Sequence, residues 1–364
     1  MKIKCRKSDL LDVIQTVQNI VSPRATLPIL SHVLINAGEG KLKISATDFE
    51  VGVHCMVNAD IEEKGATTIP GRMFADIVRL APDENIEIAC EGARVNIKSG
   101  KSKFRVGGLP ADEFPKIPDI GEEKGFSLSQ KDTKEIVRKT LFATSKEESR
   151  YALNGVLFKI KGGELTAVAT DGRRMALIKK DVDDKKIEKS AILPAKGINE
   201  LNRVIESSDE KVDFVIGENE ILFRIGNILL MARLIKGEFV DYKKIIPKDF
   251  NIRINLSKEN FLSVLRRVSI LTSETSKMVK FTLSDNKMLI TANTELGESS
   301  DEMEIEYRGD EEVLSFNPDY LIDYLQNETS ENICFEIVNP KSPAVLRPAD
   351  DDNYLYIAMP IKME

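Results

Sequence analysis

Three stretches of the chain place apolar residues at helical spacing directly behind a short alternating segment. They are KIKCRKSDLLDVIQTVQNIVS (2–22), FSLSQKDTKEIVRKTLFATS (126–145) and IRINLSKENFLSVLRRVSILTS (252–273). The inward positions coincide as Val13/Ile136/Val264, Ile14/Val137/Leu265 and Val17/Thr140/Val268. Each stretch therefore predicts a strand followed by an amphipathic helix. Asp9, Asp132 and Asn260 stand just before the apolar face, where a short polar side chain is expected to cap free N–H groups. A second helix is predicted in each third of the chain, at IPGRMFADIVRL, LPAKGINELNRVI and FNPDYLIDYLQ, opened by Pro70, Pro194 and Asn317.

Between these helices the period falls to two. KLKISA, ENIEIAC, RVNIKS, SKFRVGG, ILFRIG, ILLMARL, KMLITA and YLYIAM read as half-buried antiparallel strands. One strand end recurs at a fixed interval: Ala46-Thr47-Asp48, Ala169-Thr170-Asp171 and Ala292-Asn293-Thr294 stand 123 residues apart. Leu109, Leu234 and Met359 mark a further repeat, each 125 residues from the next. Several coincidences in the same order mean internal repetition. The reading is three homologous α+β domains, 1–121, 122–247 and 248–364, each with two helices packed on antiparallel sheets and about eight strands. Linkers are expected near Pro118–Gly125 and Pro247–Asn251. Only the middle copy of the strand end continues into Gly172-Arg173-Arg174-Met175.

Composition narrows the function. Apolar residues make up 42% of the chain and charged residues 30%, which suits a globular protein. No apolar run reaches the roughly 20 residues of a membrane span, and the N-terminus lacks the pattern of a secretion signal. Cys5, Cys55, Cys90 and Cys334 are scattered without paired spacing, which argues against a disulfide framework or zinc site and for a reducing cytoplasm. A net charge of −7 speaks against a protein that simply coats nucleic acid.

Sequence patterns that carry reactions fail on inspection. Ser99-Gly100-Lys101-Ser102 resembles the end of a phosphate-binding loop, but Val95 stands where the earlier glycine belongs and a strand follows instead of a helix. A turn between strands is expected there. His32 and His54 lie in strand-like runs without carboxylates at ligand spacing. Asp48 and Asp171 occupy the repeated strand end, where a turn-forming role is expected. No catalytic residue, metal site or cofactor is expected.

Basic charge is concentrated on the helices. Lys134 and Arg138 are spaced i, i+4 opposite Ile136 and Val137, flanked by Lys139; Lys258, Arg266 and Arg267 follow suit in the third repeat. Arg138 matches Arg266, Lys139 matches Arg267, Arg72 matches Lys196 and Arg79 matches Arg203. Basic residues at repeat-equivalent positions of an acidic chain point to one surface for phosphate backbones, without sequence readout. No aromatic residues interleave them, so duplex is favoured over single strands.

The whole chain resembles the bacterial β sliding clamp family, the processivity subunit of DNA polymerase III. RATLPIL (24–30), GATTIPGRMFADI (65–77), LPADEFPKI (109–117), RYALNGVLF (150–158), VATDGRRMAL (168–177), ITANTELGE (290–298), FNPDYLIDYL (316–325) and YIAMPIK (356–362) carry the resemblance. It implies a ring-shaped homodimer of DNA-clamp domains, helices lining the central hole and sheet outside, closed around duplex DNA and sliding in the cytoplasm on the nucleoid. DNA-facing residues would be Arg24, Arg72, Lys134, Arg138, Tyr151, Lys196, Arg203 and Arg266. The head-to-tail interface would join Lys101, Lys103, Phe104 and Arg105 of one chain to Ile270, Leu271 and the acidic stretch Glu295–Glu302, with Glu295 and Glu298, of the other.

The resemblance also accounts for the middle Gly-Arg-Arg-Met. In the family this turn belongs to a cleft for short linear peptides of the polymerase catalytic subunit, the clamp loader and other polymerases or repair proteins. Here it would comprise Leu153, Thr170, Gly172, Arg173, Arg174, Met175, Val240, Ile245, Asn317, Tyr320, Met359, Pro360 and Ile361. The chain departs from its relatives at Arg173, often His or Tyr, at Val240, often Pro, and at Lys244, often Arg. Two rival classes remain: an enzyme acting on nucleic acid, which lacks a visible constellation, and a three-domain peptide-binding scaffold that never encircles DNA.

Overall fold

The computed structural model describes residues 1–21, 27–38, 40–118, 125–272, 277–295 and 297–362. The first repeat runs β1 (Lys2–Arg6), α1 (Lys7–Ile20), β2 (His32–Gly38), β3 (Lys41–Thr47), β4 (Val51–Asn58) and β5 (Asp60–Glu63). It continues through β6 (Gly65–Pro70), α2 (Gly71–Leu80), β7 (Asn85–Glu91), β8 (Arg94–Ser99) and β9 (Ser102–Gly107). The second comprises β10 (Phe126–Ser129), α3 (Gln130–Thr140), β11 (Gly155–Lys161), β12 (Glu164–Thr170) and β13 (Arg174–Asp181). It closes with β14 (Lys189–Pro194), α4 (Ala195–Val204), β15 (Lys211–Ile216), β16 (Glu220–Ile225) and β17 (Ile228–Arg233). The third comprises β18 (Ile252–Ser257), α5 (Lys258–Ser269), β19 (Val279–Ser284), β20 (Lys287–Thr294) and β21 (Gly297–Glu304). β22 (Glu312–Phe316), α6 (Pro318–Asn327), β23 (Asn332–Ile337), β24 (Ala344–Pro348) and β25 (Tyr354–Ala358) complete it. The first repeat carries the short additional strand β5 beyond the expected eight.

The compact units of the chain cut across these repeats. One comprises Met1–Lys134 with Leu193–Ile235, the other Glu135–Ile192 with Lys236–Glu364. The first holds a five-stranded sheet, β5-β1-β7-β8-β9, and an eight-stranded sheet, β10-β15-β16-β17-β4-β3-β2-β6. In the eight-stranded sheet the repeats meet where β4 pairs antiparallel with β17, from Val51↔Ala232 to Cys55↔Ile228. The second unit holds β14-β11-β12-β13-β25-β24-β23-β18 and the four-stranded β21-β20-β19-β22. There β13 pairs with β25, from Arg174↔Ala358 to Ile178↔Tyr354.

Burial follows the predicted faces. α1 buries Leu10, Val13, Ile14, Val17 and Ile20, and α5 buries Phe261, Val264, Leu265 and Val268. A cluster of Phe261, Phe281, Phe316 and Phe335 fills the third repeat, with neighbouring ring centroids 5.7–6.5 Å apart. Such pairs contribute about 0.5–1.5 kcal/mol each beyond area burial. α4 packs so closely on β17 that a Cβ at Gly197 would lie 2.5 Å from that of Ala232.

The expected caps are corrected. Helices begin about three residues earlier than Asp9, Asp132 and Asn260 suggest. Ser129 Oγ accepts the Asp132 N–H at 2.9 Å and Ser257 Oγ that of Asn260 at 3.5 Å, so serine caps and the later residue lies in the first turn. In α1 the capping position falls to Arg6, which makes no side-chain cap. Ser99-Gly100-Lys101-Ser102 is the tight β8–β9 turn, with Gly100 at φ 56°.

Candidate functional site

The Thr170–Met175 turn is built by its own side chains. Thr170 Oγ1 accepts the Gly172 N–H at 3.0 Å and donates to the Arg174 carbonyl at 2.6 Å. Asp171 Oδ1 accepts the N–H groups of Arg173 and Arg174 at 2.8 and 3.0 Å. Gly172 adopts φ 86°, the left-handed region that glycine occupies without a steric cost. The first repeat forms the same turn: Thr47 Oγ1 accepts from Phe49 and Asp48 Oδ1 from Glu50 and Val51. There the left-handed residue is Phe49, at φ 74° and 44% exposed. Both aspartates thus form turns, as expected from their repetition.

Arg174 ties this turn to its surroundings within the second unit. Its guanidinium donates to Asp171 Oδ2 at 3.0 Å, Asp323 Oδ2 at 2.5 Å and the Phe142 carbonyl at 2.7 Å. It also lies 4.7 Å above the Tyr320 ring. Burial works against the charge, but the neighbouring Tyr356, Asp323 and Asp171 outweigh it and raise the Arg174 pKa. Tyr356 stacks on Tyr324, and Tyr324 on Tyr354. Beyond Tyr354 lies Lys139, 4.6 Å from its ring centroid.

The remaining cleft candidates divide by exposure. β13 runs beside β25, and the segment after β25 continues the contact: Met359 N–H donates to the Arg173 carbonyl at 2.9 Å, and Ile361 N–H to that of Ser315 at 2.8 Å. Val240, Ile245 and Met359 are exposed apolar side chains, and Pro360 and Ile361 are half-buried. Leu153, Thr170 and Met175 are buried and support the surface from beneath. Asn317 caps α6 by accepting the Asp319 N–H at 2.9 Å. A cavity of about 210 Å³ adjoins the turn, lined by Thr144, Ser145, Lys146, Glu147, Asp171, Arg173, Arg174 and Tyr320.

The basic residues differ in how free their charge is. Arg72 and Arg266 are exposed, Lys134 is half-buried, and none has an ion-pair partner among the described residues. Tyr151 is 60% exposed. Arg203 pairs with Glu200 at 2.7 Å, and Arg138 donates to the Asn327 carbonyl. Lys196 sits between Asp48 and Glu50, at 2.6 and 2.7 Å, so little of its charge is left for a phosphate. Arg24 lies outside the described residues. Lys139 does not flank a basic surface: it is 3% exposed and faces Glu135, Glu328 and Asp351 at 3.0, 3.7 and 3.8 Å. Three carboxylates and an aromatic face offset the cost of burying that ammonium.

Two strand edges complete the picture. β9 ends the five-stranded sheet and β21 ends the four-stranded sheet. Lys101, Lys103 and Arg105 are exposed, while Phe104 is half-buried on the other face. On β21, Glu298, Ser300, Glu302 and Glu304 are exposed, and Glu295 precedes the strand. Ile270, 76% exposed, follows α5, with Leu271 half-buried next to it. Leu80, at the end of α2 and 78% exposed, and Met73, 49% exposed, were not distinguishable from core in the sequence. Their i, i+3 and i+4 spacing to Ile77 reads as a buried face.

Three family profiles match the chain: DNA polymerase III beta subunit N-terminal domain over residues 1–118, central domain over 127–241 and C-terminal domain over 243–362. A relative from Chlamydia muridarum, named Beta sliding clamp, is 34% identical over 366 residues, covering 100% of this chain and 99% of its own. A crystal structure of the DNA polymerase sliding clamp from Bacillus subtilis superposes with a TM-score of 0.96 at 29% identity. The sliding clamp from Pseudomonas aeruginosa bound to griselimycin gives 0.95 at 31% identity. Both structures cover 100% of each chain.

Proposed function

The chain belongs to the DNA polymerase III beta subunit family, and on that premise we propose that it is a DNA polymerase sliding clamp. Two copies close head to tail around duplex DNA, slide without reading sequence, and hold polymerase and other DNA-processing proteins by short peptides. The function is topological and needs no catalytic step.

The observation that carries this reading is the pair of open edges. Val51, Arg174 and Gly297 open repeat-equivalent strands β4, β13 and β21. β4 is paired with β17 and β13 with β25, each the last strand of the following repeat. The third equivalent pair is β21 with β9, and joining those edges head to tail takes a second copy. Ser102 follows its tight turn as Ile228 does, so Val106 takes the place of Ala232. The β4–β17 register then sets Gly297 opposite the partner's Val106, Glu298 opposite the partner's Arg105, Ser300 opposite the partner's Lys103 and Glu302 opposite the partner's Lys101. Arg105 and Lys101 meet Glu298 and Glu302 along one face, and Leu80 and Met73 of α2 and Ile270 just after α5 supply exposed apolar surface at the same two ends.

Arg72, Lys134, Arg138, Tyr151, Arg203 and Arg266 form the DNA-facing set, to which Lys196, engaged by Asp48 and Glu50, adds little. Weak screened contacts suffice, because closure rather than affinity prevents escape. For the peptide cleft, Val240, Ile245 and Met359 form its apolar walls with Pro360 and Ile361. The Thr170–Met175 turn and Tyr320 form its floor and end. The deciding experiment loads the protein onto nicked circular duplex with a clamp loader and then raises salt to about 1 M, where screening acts within about 3 Å. Retention on circles, with loss once they are linearised, is the expected result. Equal loss from both by a loaded dimer would leave only electrostatic binding, and no DNA retention with intact peptide binding would leave the scaffold reading.

A further inference from the structure

We propose that the polar cavity beside the Thr170–Met175 turn is an acid-selective subsite of the peptide cleft, taking an aspartate or glutamate of the bound partner. The inference rests on the cleft reading above and adds to it a preference not contained in apolar anchoring.

The two carboxylates at the cavity are already engaged. Asp171 takes up Arg174 and two backbone N–H groups, and Glu147 pairs with Arg150 at 3.1 Å. Arg174 is in turn satisfied by Asp171, Asp323 and the Phe142 carbonyl. What remains are Lys146 and Arg173, both exposed and both without an ion-pair partner among the described residues. The Tyr320 hydroxyl adds a donor with no hydrogen-bond partner among them.

Arg173 is also well placed to discriminate. Its N–H is held by Asp171 and its carbonyl accepts from Met359, so the backbone is fixed at the cleft while the guanidinium is left over. A cavity of about 210 Å³ falls below the roughly 300 Å³ at which pockets for whole small ligands begin, and suits one side chain. An anionic side chain there gains charge-assisted hydrogen bonds from an arginine fork and a lysine. A DNA phosphate would satisfy the same donors, but Met359 joins Arg173 directly to the apolar wall, which favours the peptide.

The test uses fluorescein-labelled nonapeptides with a central pair of large apolar residues and a single Glu or Gln scanned through the other positions. Titrated against the full-length dimer at low salt, one Glu position is expected to bind about three- to tenfold tighter than its Gln counterpart. The advantage should vanish in Arg173→Gln and weaken in Lys146→Gln. Arg173→Glu should instead favour a Lys peptide, a reversal that damaged folding cannot produce. Equal binding of Glu and Gln peptides at every position would overturn the subsite while leaving the cleft standing. No binding of any peptide would remove both. A single-stranded oligonucleotide that loses affinity in Arg173→Gln, with peptides indifferent to charge, would assign the cavity to phosphate and overturn the proposal.

Discussion

Reversing Arg105 to Glu should split the dimer, and reversing Glu298 to Arg in the same chain should restore it. The two residues face each other only if the β4–β17 register carries over to β21 and the partner's β9. Arg105 is held by Asn96 at 3.3 Å and Glu298 by Asn293 at 2.9 Å, so both side chains are already restrained and lose less freedom on pairing. An exposed ion pair of this kind contributes about 0.2–1 kcal/mol. Reversal replaces attraction by a repulsion of similar size, because like charges directly opposite across strands destabilise. That amounts to about 0.4–2 kcal/mol per contact, and a closed dimer contains the contact twice. The dimer Kd should therefore rise about 4- to 1000-fold in Arg105→Glu. Arg105→Glu with Glu298→Arg should return to within about threefold of the parent, and about 1 M salt should compress all differences. Sedimentation velocity over a dilution series reads the Kd directly. A single reversal without effect would show that these edges do not meet. A double reversal as weak as the single would show that they meet in another register.

The turn residues yield a paired test by thermal melting. Gly172→Ala should destabilise by about 1–2 kcal/mol, the cost of a side chain in the left-handed region, and its Cβ would lie 2.5 Å from an Arg150 nitrogen. Phe49→Gly in the equivalent turn should change stability far less, or raise it by up to about 1 kcal/mol; equal losses would refute the shared-turn reasoning. Burial would raise the Glu135 carboxyl, but Lys180 and Lys139 hold it below the ordinary 4.5. Its contribution is complete above that value and disappears as pH falls through the lowered one. The melting gap between the parent and Glu135→Gln should therefore close below pH 4.5, and a gap constant from neutral to strongly acid pH would contradict the assignment. Burial pushes the Cys5 and Cys55 thiols up to about 12, so a thiol reagent at neutral pH should reach them only after unfolding. Native labelling of either, read by peptide mass, would show that the strand core opens.

Much of this was legible because repetition and period report the same thing independently. The six helices and the strand ends at Thr47, Thr170 and Thr294 follow from spacing alone, as does the reading of Ser99–Ser102 as a turn. What spacing cannot report is which strands meet. β4 and β17 are far apart in sequence and their pairing has no local signature, so the sheets shared between repeats, and the open edges they leave, emerged only from the fold. Lys139 shows a second limit. It stands next to Arg138 and matches Arg267, yet the fold buries it among Glu135, Glu328 and Asp351, which are distant or inconspicuous along the chain. Leu80 shows the converse, an apolar residue on a core-like period that the end of α2 leaves uncovered. The caps of α3 and α5 shift because a serine and an aspartate or asparagine three residues later can each cap, whereas in α1 the capping position falls to Arg6, which has no short polar side chain to offer.

The charge on the two edges also answers a problem that open strands create. An exposed strand edge invites pairing with any other, including its own copy, unless something disfavours the wrong encounter. β9 presents Lys103 and Arg105, with Lys101 in the turn before it, and β21 presents Glu298, Glu302 and Glu304, all exposed. Two β9 edges repel, two β21 edges repel, and only β9 against β21 attracts. Like-to-like pairing would give the twofold contact of one patch with itself, which uses up one end of each chain and leaves the other open. The charge pattern removes that alternative and leaves head-to-tail joining as the favourable one. The same feature that makes the Arg105–Glu298 pair individually weak makes it selective. Its worth lies in the difference between the right and the wrong partner, and repulsion in the wrong pairings roughly doubles that difference.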